Sequence, residues 1–366
     1  CLNPVSRTVD NGPGLLIGFG NQFWVLFEGV WAVAVRSAAV GPWLFMGWQK
    51  CATVVLFLTL IDMIRVLMIF AQETFNDTWP FKPNFFSGNG FKMHYVDEGK
   101  GTPIICLHGE PTWGYIYRKF IPPLSRDNRV IVPDHMGFGK SETPQDREYT
   151  LKTHVDNLAG LIEKLELTEI TFVIQDWGGP IGVAYALRNS ERVSRFIFLN
   201  TVTGYGGIRQ TVISPWFQFV GELYDAGTIE EVLGNIGTSL VSIMQRLGLK
   251  TNEALDPNWV RAYASAFPDK SSAIGAIEFP LDALLRRIVP YVKEGFPLLD
   301  EIKSKPAMLA VGMEDNAIDP QYQIDDFKSL YPNAPVVEIP GAGHFCQEDA
   351  PHVLIPLIQQ FLQMTR

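Results

Sequence analysis

The chain has 366 residues, of which 47% are hydrophobic and 19% charged, and its formal net charge is −9. This length and apolar content allow one large core plus an addition, and they exclude a disordered or fibrous protein. The basic residues form no run or stripe, so no nucleic-acid partner is expected. The four cysteines lack metal-ligand spacing, and we expect neither a metal nor a cofactor.

The N-terminal region is unusually apolar. Leu, Val, Phe and Trp are concentrated in three stretches, Gly14–Val35, Ala38–Trp48 and Cys51–Ala71. The third stretch has roughly the 20 residues that a membrane-spanning helix needs, although Asp62 and Arg65 interrupt it. The pattern predicts an apolar helical region over residues 1–78.

Two interpretations of this region stay open. It is either a membrane anchor or a helical hairpin buried against another subunit or against the hydrolase body, because so many exposed aromatic side chains would otherwise form a large apolar patch. We therefore expect membrane association or oligomerisation through residues 12–72, with a membrane-associated chain whose catalytic domain lies in the cytoplasm. A start at Cys1 fits a fragment, a processed chain or a lipidated terminus.

From about residue 84 the pattern alternates between strands and helices. A hairpin is predicted over Asn84–Glu98, around Gly88-Asn89-Gly90. Continuous apolar runs then predict parallel strands buried on both faces, in a doubly wound α/β sheet with its sites at the carboxyl ends of the strands. The predicted strands are Ile104–Leu107, Val130–Val132, Thr171–Ile174, Phe196–Leu199, Met308–Val311 and Val336–Ile339, and the predicted helices include Leu151–Leu165 and Pro351–Gln363.

Between these strands, residues 205–297 lack a strand pattern and are rich in aromatic side chains. Helical stretches such as Ile229–Leu233 and Ser239–Leu247 occur there. We interpret this segment as a helical cap inserted into a sheet domain formed by residues 79–204 and 298–366. A cap over the strand ends would exclude water and shape an apolar pocket.

The most informative motif is Gln175-Asp176-Trp177-Gly178-Gly179, between the strand Thr171–Ile174 and the predicted helix Ile181–Leu187. A strand, a sharp turn with small residues and a helix form the nucleophile elbow of α/β-hydrolases, which usually carries a serine. Here the position belongs to Asp176.

Two further residues follow strand ends in the order that this fold uses. His344 comes after the last predicted strand, and Asp315 after the strand before it. Asp315 would orient one imidazole nitrogen of His344 and leave the other as a base. Asp319 and then Glu314 are the alternatives for the acid.

The loop His108–Trp113 follows the strand that ends at Leu107. In this fold, such a loop and the residue after the nucleophile supply the backbone N–H donors of an oxyanion hole, here Glu110 and Trp177. A carboxylate attacks saturated carbon, expels a leaving group and becomes an alkyl ester, which water activated by His344 then hydrolyses. The indole N–H of Trp177 suits a departing halide.

Four motifs resemble the haloalkane dehalogenases, from about residue 84 to the end: His-Gly-Glu-Pro-Thr-Trp (108–113), Gln-Asp-Trp-Gly-Gly (175–179), Gly-Met-Glu-Asp (312–315) and Ala-Gly-His-Phe (342–345). The resemblance implies an α/β-hydrolase fold with an inserted helical cap. It implies Asp176 as nucleophile, His344 as base, Asp315 as acid and Trp177 as a halide-binding residue. The implied partners are a small apolar substrate and water, with an alcohol and a halide as products.

One position departs from many of these relatives. They carry an asparagine, the second halide donor, where this chain has Glu110, and an ionised glutamate cannot donate. Relatives with glutamate use a cap tryptophan instead, so Trp216 or Trp259 is expected to serve, with Trp216 preferred. Another branch places its acid where this chain has Asn200, which supports Asp315.

Three other functions stay open. An epoxide hydrolase would use cap tyrosines, for which Tyr205, Tyr224 and Tyr263 are candidates. A β-lactone decarboxylase of hydrocarbon biosynthesis would agree with the apolar N-terminal region. A non-enzymatic membrane scaffold with a vestigial hydrolase body is disfavoured by the complete set of catalytic residue types.

Overall fold

The computed structural model describes residues 6–8, 14–19, 22–27, 30–34, 70–205 and 214–365. The chain divides into two units, Cys1–Met68 and Ile69–Arg366. In the first unit, four antiparallel strands pair in the order β1-β2-β3-β4. They are β1 (Ser6–Thr8), β2 (Gly14–Phe19), β3 (Gln22–Phe27) and β4 (Val30–Ala34).

These strands correct the helices predicted within residues 1–78. Phe19 pairs with Gln22 and Phe27 with Val30, so strands that follow one another in the chain are antiparallel neighbours. Aromatic and β-branched side chains favour such strands. The prediction failed because apolar content without a clear period does not separate a strand from a buried helix.

The predicted membrane-associated localisation is also wrong. Across the parts of the chain that the structure describes, no helix combines the length and apolar character that crossing a bilayer requires. The stretch Cys51–Ala71, on which that prediction mainly depended, lies outside the described residues up to residue 69.

The second unit is built on an eight-stranded sheet, which confirms the predicted mostly parallel α/β architecture. Its order is β12-β11-β10-β9-β7-β8-β6-β5, and β5 and β6 are the antiparallel strands at one edge. The strands are β5 (Asn84–Gly88), β6 (Phe91–Gly99), β7 (Pro103–Leu107), β8 (Arg129–Pro133), β9 (Ile170–Gln175), β10 (Val193–Leu199), β11 (Ala307–Gly312) and β12 (Val336–Ile339).

The register of this sheet brings several strand ends together. Leu107 pairs with Ile174, Leu199 with Gln175, and Gly312 with Ile339. Because these strands are parallel, the residues that follow them emerge at the same end of the sheet, the carboxyl end of its strands. Every residue of β9 is buried, so the position of its carboxyl end is fixed by packing in the core.

Helices cover the sheet and fill the long connection between β10 and β11. Leu151–Lys164 begins at Thr150, whose side chain accepts a hydrogen bond from the Thr153 N–H, and the helix packs on Gly178–Arg188. The helical segment between β10 and β11 agrees with an inserted cap, whose boundaries stay a prediction. The helices are α1 (Ile121–Leu124), α2 (Leu151–Lys164), α3 (Gly178–Arg188), α4 (Pro215–Asp225), α5 (Ile229–Val232), α6 (Ile236–Leu247), α7 (Pro257–Ala264), α8 (Ile274–Leu284), α9 (Val289–Gly295), α10 (Asp300–Lys303), α11 (Pro320–Leu330), α12 (Cys346–Asp349) and α13 (Pro351–Met364).

Candidate active site

Asp176 occupies a sharp turn between β9 and α3. Its φ is +49°, a left-handed conformation that few side chains adopt outside tight turns. The turn also needs glycine: a Cβ on Gly178 would lie 2.4 Å from the Leu107 carbonyl oxygen, and one on Gly179 would lie 2.0 Å from Thr201 Oγ1. The strained turn directs the Asp176 side chain toward the loops at the carboxyl ends of the strands.

Both carboxylate oxygens of Asp176 meet a polar group. The backbone N–H of Glu110 donates to Asp176 Oδ1 at 2.7 Å. On the other side, Asp176 Oδ2 lies 3.4 Å from His344 Nε2. The structure thus brings together three residues that are separated by up to 234 positions in the sequence, counted from 110 to 344.

His344 is in turn held by Asp315. The imidazole Nδ1 lies 3.0 Å from Asp315 Oδ2, and the His344 side chain is 1% exposed. Burial alone would lower the pKa of His344, but the carboxylates of Asp315 and Asp176 outweigh burial and raise the pKa to about 10. The two carboxylates therefore favour the protonated form of His344 in the free site.

The Asp315 carboxylate is fixed by further donors. Its Oδ2 accepts hydrogen bonds from Asn200 Nδ2 and Gln323 Nε2, each at 2.9 Å. Its Oδ1 accepts from the backbone N–H groups of Ala317 at 2.8 Å and Ile318 at 3.0 Å. These bonds leave the carboxylate little freedom to turn away from His344.

The two alternative acids have other partners. Asp319 caps α11, where its side chain accepts a hydrogen bond from the Tyr322 N–H at 2.9 Å. Glu314 forms an ion pair with Lys250 at 2.8 Å, and its side chain is half exposed. Of the three carboxylates considered from the sequence, Asp315 is the one in contact with His344.

Two histidines hold the loop that carries Glu110. His108 Nε2 accepts a hydrogen bond from the His135 N–H at 3.0 Å, and His135 Nε2 lies 3.0 Å from the His108 carbonyl oxygen. Burial lowers the pKa of His108 and holds the pKa of His135 well below its ordinary value, which favours the neutral form of both side chains. The contacts fix the backbone N–H of Glu110 on Asp176, whereas the predicted second donor, the Trp177 N–H, stays a prediction.

Glu110 is buried, with 4% of the residue exposed. Its Oε1 atom is buried without a hydrogen-bond partner among the described residues. Burial raises the pKa of Glu110 well above its ordinary value, the charge of Asp176 raises it further, and His344 opposes them. The carboxyl group is therefore favoured in its neutral form, which can donate a hydrogen bond.

The cap covers Trp177 with a phenylalanine. The indole of Trp177 stacks on Phe279 of α8, with ring centroids 4.7 Å apart and planes 18° apart. Trp216 of α4 is buried beside Phe219, and Trp259 of α7 packs on Tyr263. The ring contacts described for these two tryptophans do not include Trp177, and the role of Trp216 as the second halide donor stays a prediction.

Of the three tyrosines considered for epoxide chemistry, one is hydrogen-bonded, one is exposed and one packs on a phenylalanine. The Tyr263 hydroxyl donates to Glu348 at 2.5 Å, and Tyr224 is 44% exposed. Tyr205 packs on Phe296.

Several site residues were not predicted from the sequence. Gln175 places its amide nitrogen 3.3 Å from His344 Nε2, and Asn200 and Gln323 hold Asp315. The position of Gln175 directly before Asp176 in the sequence could have predicted its place in the site. Nothing in the local sequence marks Gln323 or Phe279, which reach the site only through the folding of α11 and α8.

Comparison with known proteins places the chain in a family. A model of the alpha/beta hydrolase fold matches residues 102–351. A cis-3-alkyl-4-alkyloxetan-2-one decarboxylase from Shewanella oneidensis is 33% identical over 292 residues, which are 78% of this chain and 90% of that protein. Haloalkane dehalogenase 2 from Mycobacterium tuberculosis is 30% identical over 298 residues, which are 77% of this chain and 96% of that protein.

A solved structure is similar to this chain in both fold and sequence. The haloalkane dehalogenase DpaA from Paraglaciecola agarilytica superposes with a TM-score of 0.64 at 28% identity. The match covers 78% of this chain and 93% of that one.

Proposed function

The chain belongs to the α/β-hydrolase family as a haloalkane dehalogenase-like hydrolase, and on this premise we propose that it hydrolyses haloalkanes through an ester on Asp176. The observation that carries the proposal is the position of the Asp176 carboxylate between the Glu110 N–H and His344 Nε2. A serine hydrolase mechanism has no serine at this turn.

In the first step, the Asp176 oxygen that is free of the Glu110 N–H attacks the carbon that carries the halogen. The new C–O bond forms as the carbon–halogen bond breaks, and the halide leaves with the electron pair. Only 14% of the Asp176 side chain is exposed, so little water competes for this anion. The Trp177 indole N–H then faces the departing halide as a donor.

In the second step, water attacks the carbonyl carbon of the ester. Ester formation removes the negative charge of Asp176, one of the two charges that raise the pKa of His344. Once the pKa falls, His344 releases its proton to solvent and then accepts one from the attacking water. The N–H of Glu110 stabilises the oxyanion, and the tetrahedral intermediate collapses as His344 gives that proton to the departing alkoxide, which leaves as the alcohol. The Asp176 carboxyl group then passes its own proton to His344, which restores the carboxylate.

A His344→Gln variant tests this function. With a bromoalkane, we expect the peptide that contains Asp176 to gain the mass of the alkyl group, with one bromide released per chain. An Asp176→Ala variant is the matched control and should gain no such mass. Labelling of a different peptide, or bromide release without labelling, would contradict the proposal.

The second candidate function is decarboxylation of a β-lactone, which the similarity to the Shewanella oneidensis protein favours. Loss of CO2 from an oxetan-2-one leaves an alkene and consumes no water. Incubation of the unaltered protein with a cis-dialkyl oxetan-2-one and with a bromoalkane separates the two functions. Release of CO2 and alkene without bromide release would favour decarboxylation.

Oligomerisation is a separate proposal. The Paraglaciecola agarilytica relative is described as tetrameric. We expect the full chain to form an oligomer in solution, and light scattering coupled to size exclusion measures its mass. A monomeric mass across concentrations would contradict this expectation.

A further inference from the structure

Asp349 is the last residue of α12, and the hydrolytic mechanism above does not use it. Its carboxylate accepts hydrogen bonds from three backbone N–H groups that belong to two segments of the chain. Oδ2 accepts from Gly343 at 2.9 Å, and Oδ1 accepts from Lys250 at 2.9 Å and Thr251 at 2.8 Å. Gly343 directly precedes His344, so one oxygen holds the loop that carries the base and the other holds the segment that follows α6.

The chain at the end of α6 contacts both loops that carry catalytic side chains. The N–H of Asn316, next to the acid of the site, donates to the Leu247 carbonyl oxygen at 3.2 Å. On the other loop, a Cβ on Gly343 would lie 1.8 Å from the Gly248 carbonyl oxygen, so the two backbones are in direct contact. The position of His344 is therefore coupled to that of the segment 247–251, and Asp349 is the side chain that bonds to both.

These contacts require a carboxylate at position 349. All three partners are donors, and they approach both oxygens of the side chain. A carboxylate accepts on both oxygens, whereas an amide has one acceptor oxygen and one NH2 donor. An asparagine would therefore turn its NH2 group either onto the Gly343 N–H or onto the N–H groups of Lys250 and Thr251, and one set of bonds would be lost.

We propose that Asp349 is a positioning residue for the base, which it holds through the Gly343 N–H and ties to the segment that follows α6. This inference rests on the proposed function and deepens it. The Asp176 carboxylate performs the first step, but the second step needs His344 Nε2 at hydrogen-bond distance from the attacking water. A displacement of about 1 Å costs on the order of 100-fold in such a step. Loss of the Asp349 contacts should therefore slow ester hydrolysis and not ester formation.

An Asp349→Asn variant tests this role. With a bromoalkane, we expect the pre-steady-state bromide burst to keep its rate while alcohol formation slows by about 10- to 100-fold. Quenched-flow mass spectrometry should show the ester accumulating on Asp176.

Two control variants accompany it. Asp256→Asn removes the charge of an exposed carboxylate that caps α7, where its side chain accepts the Asn258 N–H at 2.9 Å, and asparagine caps a helix comparably. Ile131→Val removes a methylene group in the middle of the buried strand β8, which lowers stability without changing a polar contact. Both controls should keep the ratio of ester formation to ester hydrolysis.

Two NMR readouts do not depend on turnover. The Nδ1–H proton of His344, which faces Asp315 Oδ2 at 3.0 Å, should move to lower chemical shift in Asp349→Asn, because a displaced imidazole makes a longer hydrogen bond. It should stay unchanged in Asp256→Asn and Ile131→Val. In the unaltered protein, the Gly343 amide hydrogen should exchange slowly with solvent, and Asp349→Asn should remove that protection.

The outcomes separate the inference from the proposed function. Equal slowing of ester formation and ester hydrolysis in Asp349→Asn overturns the inference, as does a His344 Nδ1–H resonance that stays in place. A Gly343 amide that exchanges in the unaltered protein as fast as an exposed one also overturns it, even if Asp349→Asn does not fold. If the unaltered protein releases no halide and His344→Gln forms no ester, the proposed function fails, while the NMR measurements still decide whether Asp349 fixes His344.

Discussion

Asp315 Oδ2 lies 3.0 Å from His344 Nδ1, and the same oxygen accepts hydrogen bonds from Asn200 and Gln323. One buried oxygen therefore receives three donors, and its position fixes the direction of the imidazole. The opposite imidazole nitrogen faces Asp176. This relationship leads directly to the first prediction.

An Asp315→Asn variant should lose most of its turnover. Without the carboxylate, His344 loses the largest of the interactions that raise its pKa and can adopt the wrong tautomer. We expect ester hydrolysis to slow on the order of 10³- to 10⁴-fold, the loss seen for such a substitution in serine protease triads. Quenched-flow mass spectrometry should show the Asp176 ester accumulating.

Asp319→Asn is the matched control for that variant. Asp319 caps α11 and does not contact His344 in the described structure, and asparagine is a comparable capping residue. Turnover should stay near that of the unaltered protein. Equal losses in the two variants would contradict the assignment of the acid to Asp315.

A Gly179→Ala variant should be less stable and less active. The added Cβ would lie 2.0 Å from Thr201 Oγ1 and 2.5 Å from the Val202 carbonyl oxygen, so the turn that carries Asp176 must shift. We expect a loss of about 1–3 kcal/mol in the free energy of unfolding, measured in urea. Gly234→Ala is the control because its nearest neighbour would be Lys270 Cγ at 3.5 Å, an ordinary contact.

A Glu348→Gln variant should destabilise the second unit strongly. Glu348 is fully buried, forms two hydrogen bonds with Arg118, of which the Arg118 Nη2 bond is 2.9 Å long, and accepts the Tyr263 hydroxyl. In the neutral variant, the buried guanidinium of Arg118 would keep only one carboxylate partner, the more exposed Glu253. We expect a loss of about 3 kcal/mol in the free energy of unfolding, toward the lower end for a broken buried pair.

An exposed ion pair provides the comparison for Glu348. Lys152 and Asp156 are 62% and 53% exposed, and their charged atoms lie 2.5 Å apart. Asp156→Asn should change the free energy of unfolding by less than about 0.5 kcal/mol. A Glu348→Gln effect of the same size would show that the buried pair contributes little.

The contribution of His344 to stability should depend on pH. Its pKa is raised from 6.5 to about 10 in the folded protein, so its stabilising effect is complete below pH 6.5 and is lost as the pH rises through about 10. The difference in free energy of unfolding between the unaltered protein and His344→Gln should shrink over this window, by up to about 1.4 kcal/mol per pH unit. A constant difference from pH 6.5 to 10 would show that His344 is neutral.

The helices predicted for the N-terminal region show where sequence reasoning fails. Residues 14–34 are mostly apolar, although Asn21, Gln22 and Glu28 interrupt them, and the structure pairs 14–19, 22–27 and 30–34 as antiparallel strands. Apolar composition indicates that a segment is buried or associates with another surface. The choice between helix and strand depends on which segments along the chain it pairs with. The Asp176 turn was easier to predict from the sequence, because a strand, glycines and a helix follow one another within a few residues.

The sequence by itself determined the residues whose chemistry is local: Asp176 at its glycine-flanked turn, and His344 and Asp315 after apolar strands. Local backbone preference and strand order are enough to bring such residues to the carboxyl ends of the strands. Only the tertiary structure decided the environment of Glu110. Its burial, its unpartnered oxygen and its charged neighbours come from segments far apart in the sequence, and protonation depends on that combined field and not on the residue type alone.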